Sequence, residues 1–81
     1  MTFGRGEVVI VTVELPPHLA GRMVKHVTSP GETSVVAITR QGQALLPTLG
    51  TKFRAGDVIH IAAHVSAMDR VEALLGMGGG I

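Results

Sequence analysis

Three runs dense in β-branched residues dominate the chain: Glu7-Val-Val-Ile-Val-Thr-Val-Glu14, Thr33-Ser-Val-Val-Ala-Ile-Thr-Arg40 and Val58-Ile-His-Ile-Ala-Ala-His-Val65. Side chains branched at Cβ lose little freedom in a strand and pack well on a pleated surface, so each run predicts a strand. In the third run Ile59, Ile61, Ala63 and Val65 alternate with Val58, His60, Ala62 and His64, and the strand period of two sends the first set to a core. Gly6 precedes the first run and Pro16-Pro17 ends it, because proline cannot donate to a sheet ladder. Its density of Val and Ile predicts a central place in the sheet.

The intervening residues supply turns and helices. Leu19, Met23, Val24 and Val27 recur at helical spacing, which predicts one short helix over 18–27. Ser29-Pro30-Gly31 closes it, since Pro30 biases Ser29 away from helical dihedrals. Gln41-Gly42-Gln43 offers a tight hairpin leading to an extended Ala44-Leu45-Leu46. Pro47 belongs at a strand end or edge, residues 48–52 form a loop, and Ala55-Gly56-Asp57 turns into the last strand. Ser66 and Asp69 have capping-box spacing, predicting a terminal helix with a stripe of Met68, Val71, Leu74 and Leu75 that ends at Gly76. The tail Gly78-Gly-Gly80 is expected to be disordered. The sum is a single domain over residues 1–81 of the α+β class, β-α-β-β-β-α in order, with a mostly antiparallel sheet.

Composition narrows the function. Of 81 residues 46% are apolar, yet only two are aromatic, so the core is built from aliphatic side chains and a partner subunit would help so short a chain bury enough surface. With no cysteine, disulfides, thiolate catalysis and Cys-type zinc sites are excluded. A net charge of +1 with no basic run argues against a nucleic-acid polymer as partner. The apolar runs Val8 to Val13 and Ile59 to Val65 are far shorter than the roughly 20 residues of a membrane span, and Met1 to Arg5 lacks the apolar core of a secretory signal. Cytoplasm is the expected compartment.

Individual polar residues support little chemistry of their own. His60 and His64 lie on one face of a strand but about 13 Å apart, too far to share a metal, so they are expected to be exposed or at an interface. Asp57 after Gly56 reads as a turn cap, and Thr39 and Arg40 as strand-end residues beside the hairpin. Met23 and Met68 read as packing residues. No nucleophile elbow, paired carboxylates or phosphate-binding glycine loop is present, and Gly76 to Gly80 follows a helix instead of opening one, so catalysis is not expected and no cofactor or metal is called for.

The joints between these elements carry a family resemblance. Gly21-Arg22, then Pro30-Gly31, then Val35-Val36-Ala37-Ile38 ending at Arg40, then the isolated Pro47 and Gly56-Asp57 follow one another in the order seen in the RCK C-terminal or TrkA-C family, regulatory domains of bacterial potassium channels, potassium uptake systems and cation/proton antiporters. The resemblance spans about Val8 to Leu75. It implies a homodimer in which an effector lies across the two-fold axis, several members binding cyclic di-AMP. The positions that match the family's ligand cleft are Val24 and Lys25 on the first helix, Ser34 at the strand start, and Leu46-Pro47.

Chemistry agrees with that mapping. A cyclic dinucleotide presents two phosphates and two flat bases, so its site needs cationic or amide donors beside apolar walls, and two-fold symmetry supplies each set twice. Arg22, Lys25 and His26 crowd the end of the first predicted helix; on the residues alone the cations also suit a solvated helix face. The expected function is a cytoplasmic sensor subunit, held at the inner face of the membrane through an integral channel, transporter or antiporter, with cyclic di-AMP as effector. The alternative is a ligand-free dimerisation or docking module of a cation transport system. The short leader before the first strand favours a free-standing subunit.

Overall fold

The computed structural model describes residues 1–76; the disorder expected of Gly78 to Gly80 lies outside the described residues. Strands β1 (Thr2–Phe3), β2 (Val8–Glu14), β3 (Thr33–Arg40), β4 (Gln43–Leu45) and β5 (Val58–His64) form one antiparallel sheet, and helix α1 (Met68–Leu75) follows. The strand order is β1-β2-β5-β3-β4, so the third β-branched run is the middle strand and the first lies beside it, flanked by β1. Every neighbour pair is antiparallel. The hairpin between β3 and β4 turns on Gln41 and Gly42, both left-handed at φ 52° and 79°, the two-residue geometry whose twist matches the flanking strands.

The alternation read in β5 holds for its first three members. Ile59, Ile61 and Ala63 are buried and pack with Leu15, Leu19, Val24, Val27, Val35, Ile38, Phe53, Val71 and Leu75 in a core on one face of the sheet. Val65 departs from the expectation: β5 stops at His64, and Val65 is half exposed in a 3-10 turn, Val65–Ala67. His64 causes the stop by capping that turn. Its Nδ1 accepts from the Ser66 backbone N–H at 3.2 Å, and the Ser66 hydroxyl lies 2.8 Å from the same nitrogen. Ser66 is therefore not the capping-box residue of α1, whose N-cap is Ala67 without a side-chain bond; Asp69 does sit in the first turn, where the helix dipole favours a carboxylate. Gly76 ends α1 in the left-handed conformation at φ 72°.

The largest correction concerns residues 18–27, which form two 3-10 turns, Pro17–Leu19 and Val24–Val27, instead of one helix. Gly21 separates them at φ 84°, a conformation an α-helix cannot contain. The backbone groups that a helix would pair internally go to residues 49–53 instead. Gly21 N–H donates to Phe53 O and Phe53 N–H to Arg22 O, both at 2.9 Å; Val24 N–H donates to Thr51 O at 2.8 Å and Lys25 N–H to Leu49 O at 3.0 Å. Laid along a neighbouring segment in this way, the chain still buries Leu19, Val24 and Val27.

His18 links this segment to the far end of the molecule. Its Nε2–H donates to the carbonyl of Leu74 at 2.8 Å, one of the carbonyls that the end of α1 leaves without an intrahelical partner. His18→Ala is expected to lower stability by about 1 kcal/mol and the melting temperature by roughly 4–8 °C, read by circular dichroism. An unchanged melt would show that water replaces the bond at no cost.

Candidate functional site

The sheet has an open edge that positions the site. Among the described residues β4 pairs only with Ile38, Thr39 and Arg40, leaving Ser34 to Ala37 without a strand partner on the side away from β5, so backbone donors and acceptors there are available to a ligand. Leu45 pairs with Ile38; the next two residues, Leu46 and Pro47, leave the sheet beside this open stretch. Pro47 has no N–H to extend the ladder. A turn then forms, with Thr48 N–H donating to Thr51 Oγ1 at 2.9 Å and Thr51 N–H to Thr48 O at 3.1 Å.

From that turn the chain runs back along the second 3-10 turn, through the Val24–Thr51 and Lys25–Leu49 bonds. Leu46 is 86% and Leu49 58% exposed, so two large apolar side chains stand in solvent on this loop, Leu49 beside the segment that carries Arg22, Lys25 and His26, all three exposed. Arg22 and Lys25 make no ion pair among the described residues. Both ends of Met23 contact the His26 ring: its N–H donates to Nδ1 at 3.2 Å and its carbonyl lies 3.3 Å from the same nitrogen, which fixes the imidazole against its own turn. A largely apolar crevice of about 100 Å³ opens next to it, between the second 3-10 turn and α1, lined by Val27, Ile61, Val71 and Leu75 with His26 and Arg70 among its polar groups.

Of the residues singled out by sequence, Arg22, Lys25 and His26 share one exposed segment, which is bonded through Arg22 and Lys25 to Phe53 and Leu49 in the loop that follows Leu46 and Pro47. Val24 lies on the same segment, but its side chain is buried in the core, and its backbone is engaged, the N–H by Thr51 O and the carbonyl by the Thr28 hydroxyl at 2.9 Å. Ser34 is set apart: its backbone belongs to the open edge of β3, while its side chain lines a hollow on the opposite sheet face with Val8, Ala62 and His64. Among the described residues no three of His, Asp and Glu converge into a metal-binding group, and no helix is long and apolar enough to cross a membrane. His60 is held between two hydroxyls, Nδ1 being 3.0 Å from Thr12 Oγ1 and Nε2 3.0 Å from Thr39 Oγ1.

Sequence reasoning missed the device that holds the site in place. Arg40, at the end of β3, grips Asp57, at the start of β5, with two parallel bonds: Nε to Oδ1 at 2.9 Å and Nη2 to Oδ2 at 2.8 Å. The same Nη2 donates to Lys52 O at 3.1 Å, and Asp57 accepts from Arg54 N–H at 2.9 Å, so the turn-cap role read from Gly56-Asp57 is present within a larger network. The Asp57 side chain is only 1% exposed. The hydrogen bond from Arg40 holds its carboxyl below the usual carboxylate range, against the opposing pull of burial, and the Arg40 guanidinium is raised in turn by Asp57. This pair closes the base of the segment 41–57, on which Leu46, Pro47 and Leu49 are displayed.

Known proteins resemble the chain in the same terms. No curated protein matches it. Among solved structures it is similar to one described as an RCK domain with cda, at 16% identity over 82% of this chain and 96% of that one, with a TM-score of 0.65. It is also similar to the C domain of the regulator of conductance of K+ from the potassium transport protein KtrA in complex with cyclic diadenosine monophosphate, at 20% identity over 84% of each chain and a TM-score of 0.69. The model of the TrkA-C domain family matches residues 8–76, and with that match over most of its length the chain belongs to the TrkA-C domain family.

Proposed function

We propose that this chain is a non-catalytic regulatory domain that binds cyclic di-AMP between two copies of itself and controls a potassium or cation/proton transport protein at the inner face of the membrane. The observation that carries this reading is the backbone ladder from Val24 and Lys25 to Thr51 and Leu49, because it sets Arg22 and Lys25, which make no ion pair among the described residues, beside the exposed Leu49. Arg22 and Lys25 supply charge to phosphates, Leu46 and Pro47 an apolar wall for bases, His26 and the backbone from Ser34 onward further donors. Two copies related by symmetry double each set to match a two-fold symmetric ligand. The family match and the likeness to RCK domains, one of them in complex with cyclic diadenosine monophosphate, support it.

Calorimetric titration with cyclic di-AMP, alongside cyclic di-GMP, ATP and divalent cations, tests the proposal; saturation near one cyclic di-AMP per dimer is the expected result. Arg22→Ala should weaken that uptake by about tenfold or more, the worth of a hydrogen bond to a charged group, with the melt unchanged because the side chain is exposed. Wild-type affinity in this variant would remove Arg22 from the site. The second reading, a docking module without a small ligand, is favoured by the exposure of Leu46 and Leu49; no heat with any of these compounds from a protein that is dimeric by light scattering would select it.

A further inference from the structure

The core occupies one face of the sheet. The other face is uncovered among the described residues and carries Phe3, Val8, Ile10, Val58, Ala62 and Ala37, placed there by the register that sets Phe3 beside Val8, Val8 beside His64, Ile10 beside Ala62 and Ala37 beside His60. Phe3 is 51% exposed. Near its middle the polar side chains are Thr12, Thr39 and His60, and these already bond one another. Such a face loses its water without leaving polar groups unpaired, which is the usual obstacle to a dry contact.

The two ends of this face differ in a way that makes it complementary to itself. At one end Glu14, exposed on β2 opposite Val58, makes no ion pair among the described residues. At the other a hollow of about 210 Å³ is lined by Val8, Ser34, Ala62 and His64, and Glu32 at its rim is engaged by Arg70. Because His64 Nδ1 already accepts from Ser66, its ring proton sits on Nε2, a donor suited to a carboxylate. Turning a second copy about a two-fold axis across the strands lays β2 antiparallel over β2 and carries each Glu14 to the hollow of the other copy.

We infer that this open face is a second self-association surface, distinct from the effector site, on which two copies pack sheet to sheet with Glu14 of each seated at the Val8–His64 end of the other. Aligned sheet packing about 10 Å apart accommodates it, and the small side chains Ala37 and Ala62 leave room for interdigitation. The contact measures roughly 20 by 15 Å from strand rise and spacing, small beside a standard interface of about 800 Å² per partner, so the association is weak and depends on concentration.

The chain has no cysteine, so single-cysteine variants report directly. Glu14→Cys and Val8→Cys proteins, mixed and treated with a short bismaleimide, are expected to give mostly mixed crosslinks, with an Asp69→Cys control on α1 giving none. Crosslinks of Glu14→Cys to itself in preference to Val8→Cys would overturn the antiparallel arrangement, and failure of the mixture to exceed the control would overturn the interface. Ala62→Arg, in the wall of the hollow, should raise the dissociation constant of this step at least tenfold in a sedimentation concentration series while cyclic di-AMP uptake stays as in the wild type. Unaltered association in this variant, as expected if a transport protein covers the face instead, would also overturn it.

Discussion

Asp57→Ala is expected to destabilise the domain by about 3–5 kcal/mol, the usual cost of removing one partner from a buried charge pair. The variant strips two hydrogen bonds from the Arg40 guanidinium and leaves the Arg54 N–H without its acceptor. A domain of this length holds only about 4–12 kcal/mol in total, so the melting temperature should fall by roughly 12–40 °C, and part of the population should be unfolded at physiological temperature. Urea titration followed by circular dichroism checks the figure; a loss under 1 kcal/mol would mean that the pair is a solvated surface contact. Replacing both partners, Arg40→Met with Asp57→Leu, should cost less than the sum of the single changes, because no charge is then stranded.

The same pair sets a pH dependence whose sign follows from its direction. The Asp57 carboxyl is held below its unfolded value by the Arg40 hydrogen bond, so its contribution is fully present above about pH 4, where an unfolded aspartate is ionised. It is lost as the pH falls through the lower, folded value. Wild-type protein should therefore lose stability steeply in acid, and Asp57→Ala should show a flatter profile over the same range.

Phe53→Ala is expected to cost a similar amount, about 3–5 kcal/mol for an aromatic ring deleted from a core. Phe53 is 1% exposed and directly follows the loop read from sequence over residues 48–52. Its ring anchors residues 49–53 to the core while its N–H and carbonyl bond Arg22 and Gly21. The deletion should act on function as well: the amides of Val24 and Lys25, bonded to Thr51 and Leu49, should exchange with deuterium faster, and cyclic di-AMP uptake should weaken although the Phe53 ring is buried in the core away from solvent. Slow exchange at those amides in a destabilised variant would show that the ladder stands without the ring.

Part of what could be read locally held. The β-branched runs became strands because their preference and alternation are properties of a few consecutive residues. The Gln41-Gly42 hairpin and the Gly76 helix end follow from the freedom of glycine at positive φ. The exposure of Leu46 and the partial burial of Pro47 were not legible, because both depend on what the rest of the chain packs against. The segment 18–27 misled because Leu19, Met23, Val24 and Val27 satisfy a helical period, yet Gly21 breaks it and the backbone finds partners in residues 49–53, some thirty positions on.

The amino-acid order alone thus determined the three long strands and the turn between β3 and β4, whereas the short strand β1, Thr2–Phe3, had no signal of its own. Tertiary structure decided the rest: that β5 is the middle strand, that Arg40 meets Asp57, that Phe53 is core, and that the second 3-10 turn lies beside Leu49. Each depends on register between segments far apart in sequence, where the free energy of pairing and burial over the whole molecule outweighs the small conformational preferences of single residues.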